Sequence, residues 1–464
     1  MKGKKKKLAA TAAILLGGSA LAGCGASAEA TAVHEDGAVI VELWPSSGGA
    51  AGRSLDEIIE LFNHEHRGEY EVRASYQGDY GDAMAKFTAS VQTGDVPGIM
   101  QANNVETAFM KDSDVIVPAE ELNERYGGYD FGNVAPAIRN YYEMGGTMYA
   151  MPTMISHPIL YVNNDMLAEA GLGIDDIETT DDLVAASWQI HEEVGAAGFT
   201  FPLGGWLMEQ SASMNGVELC APENGTGNRP AGEFTVDDPR IVDLWSDFGE
   251  LYVAGAAHNP GQDADAATGA LVTREVAIQI GSSGGLGNLM ADEPDFDWSV
   301  HALPRNDDSA GVIPGGNSMW AIGLGHTERE LEAAWAFLAF IGSDAMQAKI
   351  FDDTGYLPTT VGALDHVDSI DHNQQAILDQ LFSLPVNTVT AGCHTGALNN
   401  ALRDFERAMS EIANGADAKE SLARAKEDAD ERRSKPITSA RRSPPPLGTS
   451  DRPGRAINLG RAGR

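Results

Sequence analysis

The sequence predicts an α/β protein with two lobes. Strand-like and helix-like segments alternate along the N-terminal part of the chain, which favours a parallel sheet with crossover helices. The chain has 464 residues, and its body exceeds the size at which a single hydrophobic core keeps growing. No internal repeat is visible in the sequence. We therefore expect two lobes rather than one large core.

The first expected elements form a strand–helix–strand unit. Residues 38–44 are an apolar run typical of a strand, and residues 70–76 alternate between apolar and polar positions. Between them, Ser54 and Glu57 have the spacing of a capping box, which predicts that a helix begins at Ser54. A second helix is expected over residues 82–93, closed by Gly94, and a short strand over residues 98–101.

Further amphipathic helices are expected over residues 182–193, 238–252 and 328–341. The last of these should end at Gly342, and Ser343 is placed to cap the helix that follows. These segments complete an alternating α/β pattern.

The N-terminus has the features of a secretory signal peptide. Five lysines precede a short apolar stretch, and Leu21-Ala22-Gly23-Cys24 follows it. The apolar stretch is shorter than the roughly 20 residues that a transmembrane span needs. The tetrapeptide resembles the lipobox of bacterial lipoproteins, so we expect cleavage after residue 23 and a lipid on Cys24. Residues 24–36 are small and polar, as suits a tether at the extracellular face of the cytoplasmic membrane.

The charge distribution argues against a nucleic-acid partner. Residues 431–464 are rich in arginine and proline and carry +7, and we expect a disordered tail there. The first 23 residues carry +5, so the total of −36 leaves −48 on residues 24 to 430. Nucleic-acid binding needs a basic face, which this body cannot supply.

Cysteine and metal chemistry have little support in the sequence. Cys220 and Cys393 can pair in an oxidising compartment, and two separate buried thiols are equally compatible with the sequence. His64 and His66 are two positions apart near a helix end, a spacing that points their rings in different directions. We expect no metal and no cofactor.

The glycine- and serine-rich segment Gly281-Ser282-Ser283-Gly284-Gly285 has two interpretations. It fits the nucleophile elbow of a serine hydrolase, with Ser283 as nucleophile. It also fits a cradle of backbone N–H and hydroxyl groups that holds a ligand at the start of a helix. No oxyanion-loop motif precedes Ser283, and none of the downstream histidines stands in a recognisable motif, so the cradle is the preferred interpretation.

Four stretches carry a family resemblance. They are residues 76–101 (YQGDYGDAMAKFTASVQTGDVPGIMQ), 151–172 (MPTMISHPILYVNNDMLAEAGL), 315–322 (GGNSMWAI) and 353–360 (DTGYLPTT). In content and order these stretches resemble the extracellular solute-binding lipoproteins of ABC importers (family 1). Within that family they are most similar to the binding proteins for glycerol-3-phosphate and glycerophosphodiesters.

The resemblance implies a type II periplasmic-binding-protein-like fold, with a hinge between its lobes. It implies lobe 1 at residues 37–155 and 297–343, and lobe 2 at 156–296 and 344–430. Chain crossings are expected near residues 152–158, 300–304 and 343. The implied ligand contacts are Tyr80, Asn104, Ser156, Trp206, Ser282, Gly316, Tyr356 and Arg403. Asn104 stands where the glycerol-3-phosphate binders carry a glutamate, and Glu106 is nearby but out of register.

The implied function is capture of glycerol-3-phosphate or a glycerophosphodiester and delivery to the importer's membrane subunits, by a lipid-anchored monomer that is not an enzyme. A phosphate ester needs convergent donors, and serine hydroxyls, a helix start and an arginine fork supply them. Two alternatives remain open: a neutral sugar as the ligand, and a secreted hydrolase using Ser283.

Overall fold

The computed structural model describes residues 37–227, 229–306 and 308–434. In chain order the strands are β1 (Val39–Trp44), β2 (Tyr70–Ala74), β3 (Ile99–Asn103), β4 (Ile116–Val117), β5 (Glu143–Met144), β6 (Thr147–Met148), β7 (Met151–Ser156), β8 (Pro158–Asn163), β9 (Ala197–Thr200), β10 (Cys220–Ala221), β11 (Glu233–Phe234), β12 (Ala257–His258), β13 (Val276–Ser282), β14 (Trp298–His301) and β15 (Gly315–Ile322). The helices are α1 (Gly49–Glu65), α2 (Tyr80–Thr93), α3 (Thr107–Asp112), α4 (Ala119–Tyr126), α5 (Pro136–Tyr142), α6 (Asn164–Glu169), α7 (Thr180–Glu193), α8 (Gly205–Met214), α9 (Pro239–Ala254), α10 (Ala264–Val272), α11 (Leu286–Ala291), α12 (Glu328–Ile341), α13 (Asp344–Thr354), α14 (His372–Ser383), α15 (Leu398–Ala413) and α16 (Ala418–Ser434).

The first lobe is built on a sheet with the strand order β2-β1-β3-β15-β4, in which β7 also pairs with β15. Strands β1, β2 and β3 are parallel, as the strand–helix–strand pattern predicts. Strand β15 is antiparallel to β3 and to β7. The expectation of a parallel sheet is therefore wrong for the part of this sheet that contains β15. A crossover helix between neighbouring strands makes them parallel. Strand β15 is reached from the other lobe and not through such a helix, so it can run antiparallel to its neighbours.

The second lobe is built on a sheet with the order β12-β9-β13-β8-β14. Strand β8 is buried at every position and pairs with β13 and β14 on its two sides, both antiparallel. Helices α7 and α9 pack on β9 and β12, and α15 packs on α8, α9 and α16. The result is a two-lobed α/β fold of the expected class.

The chain passes between the lobes three times: from β7 to β8, from β14 to β15, and after α13, which packs on the first lobe, to α14, which packs on β14 of the second. The first two crossings are neighbours. Strand β7 ends in the first sheet at Ser156, and β8 begins in the second sheet at Pro158. Strand β14 lies in the second sheet and β15 in the first. On α14, Gln380 joins the two crossings, because its amide donates to the His157 ring (2.7 Å) while its carbonyl accepts from the Leu303 amide (2.6 Å). These bonds hold the two crossings together.

Parts of the expected lobe boundaries are wrong. Residues 297–343 were expected in the first lobe, but β14 pairs with β8 of the second. Residues 344–430 were expected in the second lobe, but α13 packs on α1 of the first lobe. The third crossing does not lie at Ser343 but follows α13, because α12 and α13 both pack on the first lobe. The expected boundaries followed the order of the elements along the chain. The lobe to which an element belongs is instead decided by the sheet that it joins or packs on.

Helix ends follow the local signals with two exceptions. Helix α12 occupies the predicted residues, and α2 ends at Gly94 in the left-handed conformation. Helix α1, however, begins at Gly49, before Ser54, whose buried hydroxyl donates to Asp353 on α13 (2.7 Å) instead of capping. At Ser343 the hydroxyl donates back to the Phe340 carbonyl (2.7 Å), so it does not cap α13 by its side chain.

The two ends of the chain are only partly described. Residues 1–23, Cys24, the tether and residues 435–464 lie outside the described ranges. Residues 431–434, expected to begin a disordered tail, instead belong to α16, where Arg432 pairs with the buried Asp404 (2.8 Å). Within the described ranges no helix combines the length and apolar character that crossing a membrane requires.

Cys220 and Cys393 form a disulfide, which resolves the alternatives that the sequence leaves open. It joins strand β10 to the segment that leads into α15, across 173 residues of sequence. Both cysteines are buried. The disulfide therefore fixes the N-terminal approach to α15 against the rest of the second lobe.

Candidate ligand-binding cleft

A cleft of about 600 Å³ lies between the lobes. One wall belongs to the first lobe and contains Tyr80, Glu106 and Phe109. The opposite wall belongs to the second lobe and contains Trp206 and one face of α15. Three of the expected ligand contacts, Tyr80, Trp206 and Arg403, thus line one concavity.

Tyr80 is positioned by the start of α2. Asp79 caps the helix by accepting from the Asp82 amide (2.9 Å), which places Tyr80 in the first turn. Its hydroxyl contacts the Asn317 amide of β15 and the hydroxyl of Tyr356. Burial raises the pKa of Tyr80 and of Tyr356, so both phenols remain protonated hydrogen-bonding groups at neutral pH.

The remaining expected contacts gather where the chain crosses between the lobes. Ser156 ends β7 opposite Gly315 of β15, and Ser282 ends β13 opposite Pro158. The ring of Tyr356 packs on the same turn, because a Cβ added at Gly284 would lie 2.6 Å from its Cζ. Tyr356 also contacts Tyr80, so this group adjoins the cleft without forming the wall itself.

Gly316 has a structural reason to be glycine. Its φ is +92°, and a Cβ there would lie 2.4 Å from the Met154 carbonyl oxygen and 2.7 Å from the Ser156 amide. The pairing of β15 with β7 shifts register directly after it, between Asn317 and Ser318. The close approach that requires glycine at this position is thus to a neighbouring strand.

Asn104 lies behind the cleft wall and does not line the cleft. Its side chain is buried, its amide donates to the Tyr141 hydroxyl (3.3 Å), and that hydroxyl donates to the Asn104 carbonyl (2.7 Å). The residue that stands where the family glutamate is expected is therefore engaged with the core. The expectation that Asn104 faces the ligand finds no support in this arrangement.

Glu106 supplies the carboxylate that Asn104 does not. Residues Asn104–Glu106 form a 3₁₀ turn before α3, and this turn brings Glu106 into the cleft wall. One carboxylate oxygen accepts from the amide of Asn399 on α15, a bond that spans the cleft. Burial raises the pKa of Glu106 to about 7, and the Asn399 hydrogen bond and the charge of Arg403 oppose the rise.

Helix α15 presents a polar stripe to the cleft. Asn399, Arg403 and Glu406 are four and three residues apart, which places them on one helical face. Arg403 is exposed and makes no hydrogen bond or ion pair among the described residues. Its guanidinium is available to an anion in the cleft.

Trp206 is brought to the cleft by a close helix contact. A Cβ at Gly205 would lie 2.5 Å from Cβ of Leu402, so glycine lets the start of α8 approach α15. The Gly205 amide donates to Glu406 (2.8 Å), which fixes this approach. Trp206 is half-buried and lies beside that contact in the cleft wall.

Ser283 is not arranged as a nucleophile. The residue is fully buried, and its backbone amide donates to the His157 carbonyl (2.9 Å). The ring of His157 is engaged with the Ile377 carbonyl and Gln380, and no histidine ring is bonded to Ser283 within the described residues. A nucleophile needs an exposed hydroxyl beside a base, and the turn supplies neither.

More than half of the chain matches a known protein family. The family model for bacterial extracellular solute-binding proteins matches residues 57–376. The chain belongs to this family. It is the solute-binding component of an ABC importer, as the resemblance of its motifs implied.

Relatives of this solute-binding protein include the sn-glycerol-3-phosphate-binding periplasmic protein UgpB of Rhizobium meliloti (strain 1021). It is 28% identical over 343 residues, which cover 72% of this chain and 78% of the relative. The UgpB of Escherichia coli (strain K12) is 27% identical over 335 residues, which cover 70% of this chain and 75% of the relative. Both relatives are binding proteins by name rather than enzymes.

Solved structures of similar fold bind different ligands. UgpB from Mycobacterium tuberculosis, in complex with glycerophosphocholine, has a TM-score of 0.72 at 21% identity, covering 85% of this chain and 98% of that one. The GacH receptor of Streptomyces glaucescens GLA.O, solved unliganded and with acarbose, has a TM-score of 0.70 at 19% identity, with coverages of 85% and 98%. At these identities the likeness establishes the two-lobed fold alone.

Proposed function

We propose that this solute-binding protein captures glycerol-3-phosphate or a glycerophosphodiester and delivers it to the membrane subunits of its importer. The observation that carries the ligand class is Arg403, whose guanidinium lies in the wall of the cleft and makes no hydrogen bond or ion pair with the described residues. The naming of the relatives as glycerol-3-phosphate binders supports the same class.

The proposed site has two parts. Arg403, Tyr80 and Trp206 line the cleft, where the guanidinium can bind phosphate oxygens and the rings can cover carbon-bound hydrogens. Ser156, Ser282, Gly316 and Tyr356 lie at the lobe crossing and come into contact with the ligand as the lobes close about it. Asn104 acts only from behind the wall, and Glu106 takes its place in the cleft.

Delivery would involve anchoring at the membrane. We assign the lipid to Cys24, with residues 25–36 as the tether, and we expect the protein to act as a monomer at the extracellular face of the membrane. The disposition of the two sheets supports hinge motion at His157 and between β14 and β15.

Replacement of Arg403 tests the ligand class. With a phosphate ester, Arg403→Ala should weaken binding by roughly 1.5–3 kcal/mol, about ten- to a hundredfold, because a charge-assisted hydrogen bond is lost. The matched control is Arg407→Ala, one turn further along α15, where the side chain pairs with Asp404 and Asp428 instead. Isothermal titration with glycerol-3-phosphate and glycerophosphocholine measures both variants. Equal affinities in all three proteins would contradict the assignment and favour a neutral sugar.

A further inference from the structure

A buried carboxylate lies where the two lobes meet behind the cleft wall. Glu209 is on α8 of the second lobe, which packs on α15. Tyr141 is on α5 of the first lobe, which packs on β7, and its hydroxyl donates to the Asn104 carbonyl (2.7 Å). A Cβ added at Gly392 would lie 2.5 Å from Cε2 of Tyr141 and 3.1 Å from Oε1 of Glu209. A ring of one lobe and a carboxylate of the other therefore converge on one point of the chain.

The carboxylate of Glu209 is only partly satisfied by hydrogen bonds. The residue is fully buried, and its Oε1 accepts from the Cys393 amide (2.9 Å). Its Oε2 is also buried and has no hydrogen-bond partner among the described residues. When the lobes are together, an ionised Glu209 therefore holds a charge that is neither fully hydrogen-bonded nor hydrated, which is costly.

The titratable groups that face Glu209 from α5 and from the loop before α15 are neutral. Burial raises the pKa of Tyr141 and of Tyr142 on α5, and the charge of Glu209 adds to both rises, so the two phenols keep their protons at neutral pH. Burial lowers the pKa of His394 in the loop to about 4, and the charge of Lys111 lowers it further, so this ring is uncharged. None of these groups compensates a negative charge.

Helix α15 packs on α8 and does not supply a cation to Glu209 either. Arg403 and Glu406 line the cleft, and Arg407 pairs with Asp404. Burial raises the pKa of Glu209 to about 7, and only its one backbone hydrogen bond opposes the rise. Within the described ranges no lysine or arginine forms an ion pair with this carboxylate.

Hinge opening changes the surroundings of Glu209. The lobe crossings permit the lobes to hinge, and movement of α5 away from Gly392 would admit water to Oε2. A hydrated glutamate ionises near its ordinary pKa. Contact between the lobes therefore favours the protonated carboxyl, and ionisation favours their separation.

We propose that Glu209 couples closure of the lobes to the uptake of a proton, so that the lobes close with Glu209 protonated and open more readily when it is ionised. Ligand is retained by the closed form, and its affinity should therefore fall as the pH rises. This inference goes beyond the proposed function, because it applies to any ligand that the closed cleft retains.

The size of the effect follows from the two forms of the carboxyl. With the ordinary pKa of 4.5 in the open form and about 7 in the closed form, the stabilisation of the closed form is complete below pH 4.5 and is lost as the pH rises through 7. Affinity should fall about tenfold between pH 6 and pH 8, and closure at pH 7 should take up about half a proton.

Isothermal titration with glycerophosphocholine, whose phosphodiester does not titrate in this range, measures the affinity at pH 6 and pH 8. Repetition at pH 7 in buffers of different ionisation enthalpy measures the protons taken up. Glu209→Gln cannot ionise but can still accept from the Cys393 amide. It should take up about half a proton less, and its ratio of affinities at pH 6 and pH 8 should be about tenfold smaller. Glu60→Gln, exposed on α1, should match the unaltered protein.

Equal proton uptake by Glu209→Gln and the unaltered protein would overturn the coupling, because Glu209 would then be equally buried in the open and closed forms. Glu106 also titrates near pH 7, but it does so in both proteins and cancels from the comparison. A role of Glu209 in stability alone would change unfolding and leave the proton uptake unchanged.

Small-angle X-ray scattering of the ligand-free protein tests the coupling without any ligand. The radius of gyration should increase from pH 6 to pH 8 in the unaltered protein, and it should increase less in Glu209→Gln. The same radius at both pH values in the unaltered protein would overturn the coupling. Failure of glycerophosphocholine and glycerol-3-phosphate to bind would instead refute the proposed function, and the scattering result would still decide the coupling.

Discussion

Glu209 gives a quantitative prediction for the pH dependence of stability. It lies on α8, is fully buried, and accepts from the Cys393 amide (2.9 Å) through one oxygen. The other oxygen is also buried and has no hydrogen-bond partner among the residues that the structure describes. Burial raises the pKa of this carboxyl from 4.5 to about 7, and the Cys393 hydrogen bond opposes the rise only in part.

The direction of the effect follows from the raised pKa. The folded protein holds the Glu209 proton more tightly than the unfolded chain, so this group's stabilisation is present below pH 4.5 and is lost as the pH rises to about 7. The rise of the pKa from 4.5 to about 7, at about 1.36 kcal/mol for each tenfold change in proton affinity, corresponds to about 3 kcal/mol. Glu209→Gln cannot ionise, and its amide oxygen can still accept from Cys393.

Urea unfolding followed by tryptophan fluorescence at pH 5 and pH 8 measures this difference. At pH 8 the variant should be more stable than the unaltered protein by up to about 3 kcal/mol, and most of that gain should be absent at pH 5. Glu106 titrates in both proteins and cancels from the comparison. Glu60→Gln, exposed on α1, is the control. A gain that is equal at the two pH values, or a loss at pH 8, would refute the reasoning.

Two further predictions concern packing and the disulfide. Gly284→Ala should lower the free energy of unfolding by about 1–3 kcal/mol and weaken ligand binding, because its Cβ would displace the ring of Tyr356. Gly269→Ala, with nothing within 4 Å of the added Cβ in α10, should instead stabilise by about 1 kcal/mol, and urea unfolding distinguishes the two signs. Replacing Cys220 and Cys393 together by serine should cost about 2–5 kcal/mol in calorimetric unfolding, because a 173-residue link is lost; an unchanged free energy would contradict it.

Local signals in the sequence predicted much of the secondary structure. Helix α12 has its predicted bounds because the cues for its end are contained in its own residues. Helix α1 does not, because Ser54 bonds to Asp353, a residue 299 positions away. The lobe boundaries were misplaced for the same reason, since the sheet that β14 joins is decided by pairing with β8.

The cleft was predicted only in part. Family resemblance placed Tyr80, Trp206 and Arg403 in it, whereas alignment register pointed to Asn104. A short 3₁₀ turn carries Glu106 into the wall instead, which register alone does not reveal. Asn399 was missed, although its spacing of four residues from Arg403 on an amphipathic helix is a signal that could have found it.

The central claim is that this solute-binding protein takes up a phosphate ester of glycerol. Isothermal titration of the purified protein with glycerol-3-phosphate, glycerophosphocholine and maltose, in matched buffer at moderate salt, tests it most directly. The account predicts binding at micromolar or lower Kd to at least one of the two phosphate compounds, and no heat from maltose. Binding of maltose alone, or of none of the three, would contradict it.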